Sequence, residues 1–221
     1  MTNAISFAAP VLALVAGYLV GSLSFAVIVS RAMRLADPRT YGSGNPGATN
    51  VLRSGSKAAA IITLALDALK GAAAVLLAIA LAGRFGITGD ALAWGPGLAG
   101  LGAFIGHLWP VYFRFRGGKG VATAAGVLLG LNPWLGLATL ATWIIIAAFF
   151  RYSSLASLVA AAFAPFYQAL IWDVGPEEAV IVVMALLLFW RHAANISKLL
   201  AGTESRLGPG AGRAKATGLR R

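Results

Sequence analysis

The 221-residue sequence has no cysteine, only seven acidic residues and only two histidines. Without cysteine there can be no disulfide, thiolate nucleophile, Cys-ligated zinc or iron–sulfur cluster. The scarcity of Asp, Glu and His argues against a metal site, which needs several such ligands close together, so neither metal nor other cofactor is expected. Charged residues make up just 11% of the chain, too few for a disordered protein or a coiled coil. With 59% hydrophobic residues and a mean hydropathy of +0.80, a water-soluble enzyme is excluded too. What is present is long apolar runs, and they imply an all-α, polytopic integral membrane protein. The net charge of +11 then fits loops beside anionic lipid headgroups better than nucleic acid, which is not expected as a partner.

Apolar runs separated by Gly, Pro or charge predict spans at about 8–30, 58–82, 91–113, 133–150, 153–171 and 177–190. Residues 121–131, VATAAGVLLGL, form a seventh and shorter segment, rising only about 16 Å as a helix, roughly half a hydrocarbon core. The opening MTNAISFAAP has no Lys or Arg before its apolar run, unlike a cleavable signal peptide, and is read as the start of the first helix. With seven crossings, 16 of the 18 basic residues fall on one side; Arg84 falls on the other and Lys70 lies within the second span. Asp90, Asp173, Glu177 and Glu178 occupy the opposite side. The positive-inside rule then predicts an outside N-terminus and a cytoplasmic C-terminus. Residues 1–208 are read as one transmembrane domain, and 209–221, Gly-rich and basic, as a disordered membrane-surface tail.

Three segments on the basic face are rich in Gly, Asn, Ser and cations. The first, TYGSGNPGATNVLRSGSK (40–57), combines Gly42, Gly44 and Gly47 with Ser43, Asn45, Thr49, Asn50 and Arg53. Such a loop can turn its N–H groups onto an anion, although Gly and Asn are also ordinary turn residues. The second, GHLWPVYFRFRGGKGVAT (106–123), places Gly117, Gly118, Lys119 and Gly120 just before the short helix containing Thr123. A helix start beside a lysine favours phosphate. It could also be a basic interfacial loop with Trp109, Tyr112, Phe113 and Phe115 as an aromatic belt. The third, WRHAANISKLLAGTESRLG (190–208), leaves the last span and puts His192, Asn195 and Leu199 on one helical face and Lys198 near Arg191, with Glu204 following. Asp67 and Lys70, one turn apart in the second span, suit an internal ion pair slightly better than substrate contact, and His107 suits structural support.

Several chemistries are excluded at these residues. A Walker A loop would need Gly at position 113, which is Phe. Neither histidine is followed five residues on by Asp, since Tyr112 and Ser197 stand there, so the H-x-x-x-x-D motif of thioester-using acyltransferases is absent. No Ser-His-Asp arrangement and no Asp-rich phosphotransferase motif can be read. An anion-binding cavity open to lipid remains, suited to a phosphorylated small molecule meeting an acyl chain.

SGNPGATNVLR (43–53), GHLWPVYFRFRGGKGVAT (106–123) and RHAANISKLLAGTE (191–204) together resemble the three motifs of the bacterial acyl-phosphate-dependent glycerol-3-phosphate acyltransferases, the PlsY family. DALKG (67–71) in the second span and the seven-span pattern belong to the same resemblance. It implies transfer of a fatty acyl group from acyl phosphate to the sn-1 hydroxyl of glycerol 3-phosphate, giving lysophosphatidic acid and inorganic phosphate. That is the first step of phospholipid synthesis, at the cytoplasmic side of the bacterial inner membrane, downstream of an acyl-phosphate-forming enzyme. It further implies that Ser43, Arg53, Lys119, His192 and Asn195 are catalytic and substrate-binding. Gly44, Asn45, Thr49, Asn50, Gly117, Gly118, Gly120, Thr123 and Glu204 complete the substrate-binding set. A transporter for phosphate or a phosphorylated metabolite is the competing expectation, but such a protein should show a polar path to the other face, and apart from Asp67 and Lys70 none is seen.

Overall fold

The structure, a computed structural model, describes residues 2–172 and 174–208. The proposed tail at 209–221 and Asp173 lie outside the described residues. The described chain is all-helical: α1 (Thr2–Gly21), α2 (Phe25–Ala32), α3 (Ala48–Val51), α4 (Lys57–Arg84), α5 (Asp90–Leu108), α6 (Val121–Leu131), α7 (Pro133–Phe150), α8 (Ser153–Ile171), α9 (Pro176–Arg191) and α10 (Ala193–Leu200). Among the described residues, five segments are long and apolar enough to cross a membrane, or six if α9 and α10 count as one. Large apolar side chains such as Leu76, Leu77, Phe149 and Leu170 face outward, as lipid contact requires.

The sequence places α6, α7 and α8 well, because local signals bound them. Asn132 accepts hydrogen bonds from the Trp134 and Leu135 amides at 3.0 and 3.3 Å, and Pro133 opens α7, so the chain turns sharply out of the short α6. The third span runs from Asp90 to Phe113, close to the expected 91–113; its α-helix ends at Leu108, and a short turn at Val111–Phe113 follows Pro110.

One expectation is corrected. The first span is not one helix: it breaks between Gly21 and Phe25. Lys70 Nζ donates to the Leu23 carbonyl at 2.7 Å while pairing with Asp67 at 2.8 Å, so this ion pair satisfies backbone freed by the break. Ser22 Oγ likewise accepts the Val111 amide. The last span ends at Arg191, close to its expected end at 190, and the chain then bends by 59° at His192, where α9 ends and α10 begins. The His192 carbonyl accepts the Asn195 and Ile196 amides at 2.8 and 2.9 Å, so His192 stands at the start of α10, and Asn195 and Leu199 follow on one face of it.

Small residues bring the helices close. A Cβ at Gly17 or Gly21 would overlap the carbonyls of Ala99 and Ala103 on α5, and one at Gly126 would overlap the Ala68 carbonyl on α4. The short α6 is thereby clamped against α4, which fixes the depth at which its N-terminal loop stands.

Candidate active site

Residues 38–54 fold around one side chain. Asn50, almost wholly buried, donates through Nδ2 to the carbonyls of Pro38 (2.7 Å) and Tyr41 (3.2 Å). Its Oδ1 accepts the Ser43 amide at 3.0 Å and Arg53 Nη1 at 3.4 Å. Gly42, at φ +60°, passes so close that a Cβ there would strike Asn50 Oδ1. Asn50 thus shapes the loop from within, while Ser43, Asn45, Thr49 and Arg53 line a cavity. Asp37 and Arg39 pair side-on at 2.6–3.2 Å just before this loop, and the guanidinium holds the Asp37 carboxyl below its usual range.

The glycine-rich loop before α6 is gripped rather than open. Gly117 and Gly118 are buried against the end of α5, where the Gly118 amide donates to the His107 carbonyl at 3.1 Å. Arg191 donates to the Gly117 carbonyl at 3.0 Å and, through Nη2 and Nε, to the Gly118 carbonyl at 2.9 and 3.1 Å. These two glycines form the cavity's frame, whereas Lys119 and Gly120 line it. Gly120, at φ +84°, turns the chain into α6 with no room for a side chain against the Phe104 ring.

Thr123 is fully buried beneath this loop, its hydroxyl 3.2 Å from His107 Nδ1. His107 Nδ1 also lies 3.5 Å from Asp67 Oδ1. The chain Lys70, Asp67, His107, Thr123 joins α4, α5 and α6, and Asp67 and His107 also line the cavity.

Lys119, half-buried, hydrogen-bonds Asn195 Oδ1. Asn195 Nδ2 donates to Glu204 Oε1 at 2.8 Å, and Ser154 Oγ donates to the same oxygen at 2.9 Å. Burial lowers the Lys119 pKa to about 8; Glu204 opposes the shift, while Lys198, Arg191 and Arg53 add to it. His192, buried at the α9–α10 bend, contacts the Leu188 carbonyl through Nδ1 at 2.9 Å. A carbonyl only accepts, so Nδ1 carries the proton and Nε2 is the acceptor nitrogen.

The cavity holds about 620 Å³. Its mouth carries Ser43, Arg53, Lys119, His192, Asn195 and Glu204, which the fold draws from segments up to 161 residues apart. Its inner part is a largely apolar throat between α4, α6, α7, α8 and α9, with Asp67 and His107 among its lining. Among the described residues no group of three or more His, Asp or Glu is placed to hold a metal ion.

The glycerol-3-phosphate acyltransferase family model matches residues 11–202. The chain belongs to this family. A glycerol-3-phosphate acyltransferase of Ralstonia nicotianae is 66% identical over 194 residues, 88% of this chain and 92% of that protein. One from Burkholderia pseudomallei is 61% identical over 199 residues, covering 89% and 95%. The crystal structure of PlsY, an integral membrane glycerol 3-phosphate acyltransferase, in its glycerol 3-phosphate form superposes with a TM-score of 0.81 at 36% identity, covering 90% of this chain and 96% of that one. Its lysophosphatidic acid form gives 0.79 at 35% identity, covering 90% and 95%.

In this member of the acyltransferase family, sequence reasoning missed several residues of the site. Arg191 had appeared only as a neighbour of Lys198. Ser205 receives Arg53 Nη2 at 3.1 Å, and Ser154 orients Glu204. Arg151 donates to the Leu207 carbonyl at 2.9 and 3.1 Å, tying residues 203–208 across the mouth. Serine at a helix start, or a single arginine at a span end, is too ordinary to signal such contacts.

Proposed function

We propose that this acyltransferase moves a fatty acyl group from acyl phosphate to the sn-1 hydroxyl of glycerol 3-phosphate, releasing lysophosphatidic acid and inorganic phosphate. The observation that carries the reading is one cavity joining a cationic mouth to an apolar throat. The mouth suits phosphate groups and the throat an acyl tail. Acyl phosphate is an activated mixed anhydride, so no acyl-enzyme is required. Arg53 and Ser43 hold a substrate phosphate, and Lys119, braced by Asn195, meets negative charge developing on the transferred group. The glycerol oxygen attacks the acyl carbon, the tetrahedral oxyanion collapses, and the carbon–oxygen bond to phosphate breaks. The hydroxyl proton passes to the departing phosphate or to His192 Nε2. Gly44, Asn50, Gly117, Gly118 and Thr123 act by shaping the site; Asn45, Thr49, Gly120 and Glu204 complete its lining.

The same reading includes seven membrane segments, an outside N-terminus, a single domain over residues 1–208, and a cytoplasmic site in the bacterial inner membrane supplied by an acyl-phosphate-forming enzyme. The excess of basic residues on the site's face supports that orientation. Cysteines introduced at positions 45 and 116 should be shielded from an impermeant reagent in intact cells, and one at 174 should react. Labelling of 116 from outside would reverse the orientation.

The deciding assay supplies the purified protein with acyl phosphate and labelled glycerol 3-phosphate. Lysophosphatidic acid should form, also in excess chelator, and acyl-CoA should not substitute. Equal rates with acyl-CoA would refute the donor assignment.

A further inference from the structure

The apolar throat ends at one depth on three helices. On α8 its wall is Ser154, Ser157, Ala160, Ala161 and Ala164, small side chains at successive turns. The ten residues from Ser154 to Ala164 rise about 15 Å. The innermost lining residue of α9 is Ile181, ten residues from its mouth end at Arg191, and that of α7 is Thr139, eleven residues from Phe150. Each lies about 15–17 Å from the mouth. One turn further in, Leu135 and Gln168 are buried, and Leu128, Leu135, Ala164 and Ile181 pack into a closed cluster backed by Tyr167.

Thr139 adds a polar mark at this end. It is 8% exposed, lines the throat, and its Oγ1 has no hydrogen-bond partner among the described residues. Thr142, three residues on, donates instead to the Ala138 carbonyl at 3.0 Å. A saturated tail reaching Thr139 strips any water from that hydroxyl and offers no hydrogen bond in exchange.

We infer that Ala164, Ile181 and Thr139 form the floor that sets which acyl-chain lengths this enzyme accepts. Ala164 and Ile181 limit the chain by volume, and Thr139 by the cost of covering its hydroxyl. The inference rests on the acyl-transfer reading above, which assigns the throat to the tail. Each two methylenes that the throat can no longer bury should lower kcat/KM about tenfold.

The test measures kcat/KM of the full-length protein in nanodiscs with acyl phosphates of graded length. Ala164→Leu should move the upper limit to shorter donors while sparing the shortest. Ile181→Ala and the near-isosteric Thr139→Val should move it to longer ones. If Ala164→Leu does not fold, the other two decide, because they act in the opposite direction and remove rather than add bulk or polarity. An unchanged profile, or an equal loss at every length, in folded variants would overturn the inference while leaving acyl transfer intact. No turnover of any acyl phosphate by the unsubstituted protein would instead overturn the acyl-transfer reading itself.

Discussion

Arg191 holds the carbonyl of Gly118 at 2.9 Å across 73 residues of sequence, and its guanidinium carbon lies 5.9 Å from the centre of the Trp109 ring. Through this contact the end of α9 fixes the backbone immediately before Lys119. The loop's flexibility, which its glycines suggest, is therefore removed by a planar fork that grips two successive carbonyls.

Arg191→Lys keeps the charge but loses the fork. The Lys119 ammonium should then wander, and kcat should fall about tenfold to a hundredfold, with KM for glycerol 3-phosphate changing less. Steady-state kinetics on folded protein check this; an unchanged kcat would show that the glycines hold the loop without help.

Lys119 titrates at about 8, so its cationic form predominates at pH 7 and is lost as pH rises through that value. A phosphate monoester, with a second pKa of about 6, is already dianionic there and does not obscure the limb. For the free enzyme, kcat/KM should decline above about pH 8, and Lys119→Arg should carry whatever activity it retains to higher pH without that decline. A flat profile to pH 10 in the unsubstituted protein would remove any need for the Lys119 charge.

Arg53 and Lys119 should fail differently. Arg53→Lys loses bidentate geometry and should chiefly raise KM for a phosphorylated substrate, by about tenfold to a hundredfold. Lys119→Ala should lower kcat at saturation by about a hundredfold or more, as for loss of an oxyanion-stabilising group. Near-normal kcat in folded Lys119→Ala would leave the lysine with an anchoring part only.

The buried pair of Asp67 and Lys70 makes a stability prediction. Asp67→Ala strands a buried ammonium and should cost about 3–5 kcal/mol, read as a lower Tm in detergent. Replacing both, as Asp67→Leu with Lys70→Met, should cost less, although the Leu23 carbonyl then loses its donor. Equal loss in the single and double variants would mean that the charge pairing matters less than the bond to Leu23.

Local signals determined α6, α7 and α8, because hydropathy, Pro133 and the capping Asn132 act within a few residues of the ends they set. The membrane class, the basic face and the residues around the mouth were legible for a similar reason: composition and short motifs carry them. Tertiary structure alone decided that the first span breaks at residues 22–24, since Lys70, 47 residues away, satisfies the Leu23 carbonyl there. It also bent the chain by 59° at His192, the junction of α9 and α10. Asn50 and Gly118 look like anion-binding residues in the chain, yet packing gives their N–H groups to the carbonyls of Pro38, Tyr41 and His107. Such outcomes depend on which distant groups the helices bring together, because a buried donor or acceptor takes the partner that packing supplies, and no stretch of sequence contains both halves of the bond.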